Sequence, residues 1–160
     1  MVNKILAKEP RSILDLGAGS GTYGRLLRPL LPPDVHMTAV EIHAAYVSEY
    51  KLWHFYDTVI IADVRSYDAP RADVIILGDV LEHMTKSEAL EVWIRALRNA
   101  DKAVFLSLPI VEWPQGPMYG NEYERHVHTW SHHEALDLPG VTDSWQGSHV
   151  GCYEALSTSD

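Results

Sequence analysis

Eight residues, Gly17-Ala-Gly-Ser-Gly-Thr-Tyr-Gly24, constrain this chain more than any others, because of what flanks them. An apolar run, Ser12-Ile-Leu-Asp-Leu16, leads in, and an amphipathic stretch, Arg25-Leu-Leu-Arg28, leads out. That order predicts a strand turning sharply into a helix. Glycines in such a turn permit positive φ and let a ligand approach without a Cβ in the way. An anionic group could then lie against the free N–H groups at the helix start. A nucleotide-like ligand is the first expectation.

The rest of the chain repeats this alternation. Apolar β-rich runs recur at Ile13 to Leu16, Met37 to Glu41, Val59 to Ala62, Val74 to Leu77 and Ala103 to Leu108. Helix-like segments lie between them, which predicts a parallel sheet covered on both faces. One helix is expected over Ala44 to His54. A clearer one runs from Lys86 to Asn99, with Leu90, Trp93 and Leu97 on one stripe and Thr85 with Glu88 as a capping box. Pro109 to Met118 holds three prolines and one glycine in ten residues and predicts an irregular loop. Beyond it, Ser131 to Leu138 reads as a short helix stopped by Pro139-Gly140. Val141 to Gln146 and Val150 to Leu156 read as a hairpin turning near Gly147-Ser148. The expected fold class is α/β: a Rossmann-like, mostly parallel seven-stranded sheet with an antiparallel C-terminal hairpin and helices on both faces.

Charge and length narrow the function classes. With 160 residues, 46% of them hydrophobic, the chain can bury the core of one domain. Thirteen basic against 22 acidic residues leave a net charge of −9, which disfavours a nucleic-acid partner. No apolar run is long enough for a membrane span, and Met1 to Lys8 is too short and too charged for a signal peptide. A single cysteine, Cys152, suits a reducing compartment, so a cytoplasmic location is expected.

Gly19-Ser-Gly-Thr-Tyr-Gly24 satisfies G-x-G-x-x-G, and Glu41 follows about 20 residues on, as in dinucleotide-binding folds. On those residues alone an NAD-binding oxidoreductase stays open. Asp15 inside the strand, and the denser pattern Asp-Leu-Gly-Ala-Gly-Ser-Gly, favour a different ligand. Here the chain resembles the class I S-adenosylmethionine-dependent methyltransferases, in particular a small branch with a Glu-His pair after the fourth strand. Three further stations carry the resemblance: Val40-Glu41, Ala62-Asp63-Val64, and Asp73-Val-Ile-Ile-Leu-Gly-Asp-Val-Leu-Glu-His83.

The resemblance implies S-adenosyl-L-methionine as cofactor and a single methyltransferase domain over residues 1–160. Gly17, Ala18, Gly19 and Gly21 would hold its amino-acid portion and Asp15 would organise that loop. Glu41, with Ile42 beside it, would bind the ribose, whose two hydroxyls one carboxylate can accept together. Asp63 and Val64 would meet the adenine, while Gly78 and Asp79 would lie near the methionine part. His83 is read as a proton acceptor or positioning group, or as a structural hydrogen bond.

The second branch-like stretch is Asn121-Glu-Tyr-Glu-Arg-His-Val-His-Thr-Trp130. It makes 109–130 the expected acceptor-site loop, its wall formed by Tyr119, Tyr123, His126, His128 and Trp130, with Trp113 also able to line it. The alternative is a solvated lid, or a buried histidine anchoring the loop. His126 and His128 join His83 as candidate catalytic bases for in-line methyl transfer to O or N of a small molecule or exposed group. His126, His128, His132 and His133 lack a cysteine partner or a recognised carboxylate spacing, so no metal is expected. About ten residues precede the first strand, where many relatives carry capping helices. A nearly bare core with a wide mouth follows, which a second copy or partner subunit could close. A non-catalytic, cofactor-binding partner subunit is the alternative function.

Overall fold

The computed structural model describes residues 1–118 and 120–156 of the chain. Seven strands form one sheet: β1 Ser12–Leu16, β2 His36–Glu41, β3 Thr58–Ile61, β4 Ala72–Gly78, β5 Ala100–Pro109, β6 Val141–Gln146 and β7 Val150–Leu156. Their order is β3-β2-β1-β4-β5-β7-β6. The first five are parallel, and β7 runs antiparallel to both β5 and β6. Every strand foreseen in the sequence is present.

Alternation along the central strands divides the core into two layers. Ile13, Val74 and Ile76 face one layer with Leu27, Met37 and Phe105; Leu14, Ile75 and Leu77 face the other with Trp93, Leu106 and Trp130. Successive strand side chains point to opposite faces, so strands this apolar need cover on both.

The helices supplying that cover are α1 Val2–Leu6, α2 Thr22–Leu27, α3 Ala44–Glu49, α4 Lys86–Asn99 and α5 His132–Leu136. The Thr85–Glu88 capping box starts α4. The stripe is corrected by one position: Leu90 is 39% exposed, and Ala89, Val92, Trp93, Ala96 and Leu97 form the buried face. The helix expected over 44–54 is split, because Lys51 adopts φ 52° and a 3-10 turn, Leu52–His54, follows. A left-handed residue ends α-helical hydrogen bonding.

The short N-terminal segment is ordered as α1. Ile5 is fully buried, and Lys4 and Lys8 both pair with Glu154 on β7. No helix among the described residues is long and apolar enough to cross a membrane.

The strand order positions the site. From β1 the chain steps outward through β2 and β3, then returns across the sheet to β4. At such a reversal the loops after β1 and β4 leave in opposite directions and open a crevice at the strands' C-terminal ends. The glycine loop and Asp79 flank it.

Candidate active site

A cavity of about 730 Å³ occupies this crevice. That size suits a cofactor together with a small acceptor. Its lining joins the loops after β1, β2, β3 and β4 to the segment after β5.

At the β1 end, Gly17 has φ 78°, and a Cβ there would lie 2.5 Å from Val80 Cγ2. Only glycine fits both the conformation and the space. Gly17, Ala18 and Gly19 line the cavity; Gly21 and Asp15 do not. Gly21 instead turns beneath Leu52 and Tyr56. The Asp15 carboxylate is buried under the loop and accepts a 2.5 Å hydrogen bond from Tyr56 Oη, which itself accepts the Gly24 N–H at 2.9 Å. Burial raises the Asp15 carboxyl to about 7, against the Tyr56 hydrogen bond, which lowers it. Asp15 therefore acts on the loop through Tyr56 and α2, with no contact of its own to the cavity.

Glu41 ends β2, and its two oxygens are each held by an amide: Gly19 N–H on Oε2 and His43 N–H on Oε1, both at 2.7 Å. The carboxylate thus ties the glycine loop to β2 and keeps lone pairs for a ligand diol. Burial raises its pKa, and the two amides oppose that. Ile42 lines the wall beside it. Asp63 and Val64 also line the cavity, but Arg65 claims the Asp63 carboxylate through Nε and Nη2 at 2.7–3.0 Å and holds its pKa down. The Val64 carbonyl accepts from Arg95 Nη2 at 2.7 Å.

At the β4 end, Gly78 lies under the Tyr23 ring, and a Cβ there would stand 2.0 Å from Cε2. Tyr23 Oη and Ser107 Oγ lie 2.8 Å apart, and Ser107 Oγ donates to Asp79 Oδ2 at 3.3 Å. Asp79 holds φ 54°, strained for a residue with a side chain, pinned by its N–H on the Ser107 carbonyl at 2.8 Å.

The next turn carries the acceptor-side groups. Glu82 is buried, and neither carboxylate oxygen accepts a hydrogen bond from another described residue. Burial, then the Asp79 charge, pushes its pKa well up. His83 Nδ1 lies 3.2 Å from the Arg125 carbonyl, and His126 Nδ1 lies 2.8 Å from the Trp113 carbonyl. Their rings meet edge-on at 5.0 Å. Burial, then neighbouring His83, lowers the His126 pKa. The segment bearing His126 is fastened at both ends: Ile110 N–H donates to the His149 carbonyl, and Val127 and His128 N–H both donate to the Glu82 carbonyl.

Of the three candidate bases, His83 and His126 line the cavity and His128 does not. The His128 ring packs edge-on to buried Trp130, with Nε2 3.8 Å from Glu134. Trp130 belongs to the core rather than to the acceptor wall, while Tyr123 and Trp113 do line the cavity. Tyr119 lies outside the described residues. His132 and His133 bond elsewhere, to Tyr153 and Asp137. Sequence reasoning missed Arg65, Tyr56, Tyr23 and the buried state of Glu82. Only Arg65, two residues from Asp63, carried a local signal.

Fold and crevice define a doubly wound α/β protein with a nucleotide-type cofactor cleft. Residues 1–138 match the model of a methyltransferase domain, and the chain belongs to that family. No curated protein matches its sequence. Among solved structures, magnesium protoporphyrin IX methyltransferase from Synechocystis PCC 6803, with bound S-adenosylhomocysteine, is similar at 16% identity and TM-score 0.72, covering 98% of this chain and 80% of that one. A SAM-dependent methyltransferase from Aquifex aeolicus gives 16% and 0.67 over 98% and 89%. An O-methyltransferase family 2 protein from Planctomyces limnophilus in complex with apigenin gives 13% and 0.67 over 92% and 50%.

Proposed function

We propose that this protein, a single domain over residues 1–160, transfers the methyl group of S-adenosylmethionine to an oxygen or nitrogen of a small molecule. The observation that carries the reading is one continuous cavity running from the glycine loop and Glu41 to His83 and His126. Bound S-adenosylhomocysteine or S-adenosylmethionine in structural neighbours supports the cofactor. The apigenin complex of another neighbour supports a small acceptor.

In this reading the backbone of Gly17, Ala18 and Gly19, with Gly78 and Asp79 opposite, takes the amino-acid portion. The spare Glu41 lone pairs take the ribose, and Ile42, Asp63 and Val64 border the adenine. Asp15 and Gly21 shape the loop from behind. The acceptor's nucleophile attacks the sulfonium methyl carbon in line, the S–C bond breaks, and S-adenosylhomocysteine leaves as a neutral thioether. Positioning comes first in such a displacement, and His83 or His126 takes the acceptor proton where the nucleophile is poor.

Side-by-side calorimetric titration with S-adenosylmethionine, S-adenosylhomocysteine and NADH tests the cofactor. Saturable binding of the first two alone is expected; binding of NADH alone would sink the reading. A panel of phenols, carboxylates and amines then tests turnover. Cofactor binding with no turnover, rescued by an added subunit, would favour a partner role. Closure of the mouth by a second copy or a partner belongs to the same reading, with sedimentation as its check. So does a cytoplasmic setting, consistent with the unpaired Cys152 and checked by fractionation.

A further inference from the structure

Glu82 is the least explained residue in the molecule. A buried carboxylate with no donor on either oxygen is costly, and native structures leave few such groups unsatisfied. Around it the charges compound the problem. Asp79 and Glu124 both act on it with the same sign, and both also act on His126. The basic side chains nearest in sequence are engaged elsewhere: Lys86, four residues on from Glu82, pairs with Glu134, and Arg125, beside His126, pairs with exposed Glu122. This corner of the cavity favours a cation.

Three groups able to act as ligands converge there. A carboxylate oxygen of Glu82 and one ring nitrogen from each of His83 and His126 lie within 4.8 Å of one another. A carbonyl oxygen only accepts hydrogen bonds, so the contacts of both Nδ1 atoms with carbonyls place a proton on each Nδ1. Each Nε2 is then left with its lone pair. Metal-ligating histidines are oriented in this way, the second nitrogen donating to a carbonyl or carboxylate that fixes the tautomer. We infer that Glu82, His83 and His126 form a binding site for a divalent transition metal of the zinc class on the acceptor side of the cavity.

Two imidazoles and one carboxylate select zinc, or iron and cobalt of the same charge, over magnesium and calcium, which take oxygen ligands. Metal bonds of about 2.0–2.2 Å place tetrahedral ligand atoms about 3.4 Å apart, a contraction that side-chain rotation supplies. Three protein ligands leave a position open towards the cavity. On the methyl-transfer reading, a bound metal takes over the part given above to a histidine base, since both Nε2 lone pairs are then engaged: the open position takes the acceptor hydroxyl, which releases its proton to solvent more readily on binding. Its oxygen then forms the O–C bond as the S–C bond breaks. Residue order alone does not bring these groups together, since Glu82 and His126 stand 44 residues apart.

The test uses the full chain after chelator treatment, titrated with Zn²⁺ by calorimetry and with Co²⁺ by visible absorption. One equivalent should bind saturably, with the intense bands of tetrahedral cobalt. Glu82→Gln and His126→Ala should each weaken binding at least tenfold and abolish the bands. His133→Ala, on the exposed face of α5, should bind as the parent does. His126 lies on a half-exposed loop, so its variant keeps the measurement interpretable even if Glu82→Gln melts early. No saturable binding by the parent, or one-equivalent binding that survives the His126 change, would overturn the inference. Titration with S-adenosylhomocysteine on the same sample separates the two readings. Cofactor binding without zinc binding removes the metal alone, and zinc binding without cofactor removes methyl transfer alone.

Discussion

The two ends of the cavity differ in how their charged groups are partnered. At the cofactor end, Glu41 holds two backbone amides and Asp63 holds a chelating Arg65. At the acceptor end, Glu82 holds nothing from another described residue and lies beside two imidazoles. A carboxylate already satisfied by its own chain shapes a site before ligand arrives. One left unsatisfied stores a demand that a ligand or ion must meet. Binding at the first end is preorganised, whereas chemistry at the second waits for an occupant.

The contrast can be broken most severely at Gly17. Gly17→Val adds strain at φ 78° and a collision with Val80, costing about 2–4 kcal/mol. Calorimetry should show S-adenosylhomocysteine affinity falling more than about 100-fold. His126→Ala attacks the other end: turnover on an accepted substrate should fall about 10–100-fold, with cofactor affinity within about twofold. An equal loss in both would mean that the ends are not separable. Glu41→Ala removes the acceptor of two amides and should weaken the cofactor about tenfold, lowering the melting temperature as well.

A smaller effect concerns proton linkage at Asp15. Its folded pKa of about 7 exceeds its ordinary 3.8, so the folded state holds this proton more tightly than the unfolded chain does. That stabilisation is complete below about pH 4 and is lost as pH rises through 7. Asp15→Asn should flatten the decline in melting temperature over that window, gaining about 1–3 kcal/mol at alkaline pH. An unchanged slope would assign the decline to Glu41, Asp79 and Glu82, whose pKa values are raised in the same direction. Least affected should be His128→Ala, turned away from the cavity, with turnover within about twofold of the parent.

The same division governs what could be read from residue order. All seven strands and the α4 cap were legible because each rests on local periodicity or a four-residue motif. The glycine loop, Glu41 and Asp63 were legible as strand-end stations. Trp130 was misplaced because burial against α4 and β7 depends on contacts far away in sequence, and His128 followed it. The tie from Asp15 to Tyr56 spans 41 residues and leaves no local trace. Glu82 was legible as half of the Glu-His pair after β4, facing the acceptor or fixing the following helix, but nothing nearby in sequence reveals that its carboxylate is enclosed.

The fastening of the segment after β5 also bears on how this scaffold can diversify. Ile110 is held by His149 and residues 127–128 by the Glu82 carbonyl, so the intervening stretch is anchored at both ends. Side-chain replacements at Val111, Glu112 and Pro114 that leave the Trp113 and Gln115 carbonyls on His126 can then reshape the recognition surface while the imidazoles stay in register with β4. A library confined to those positions is the natural route to new acceptor preferences without rebuilding the catalytic corner.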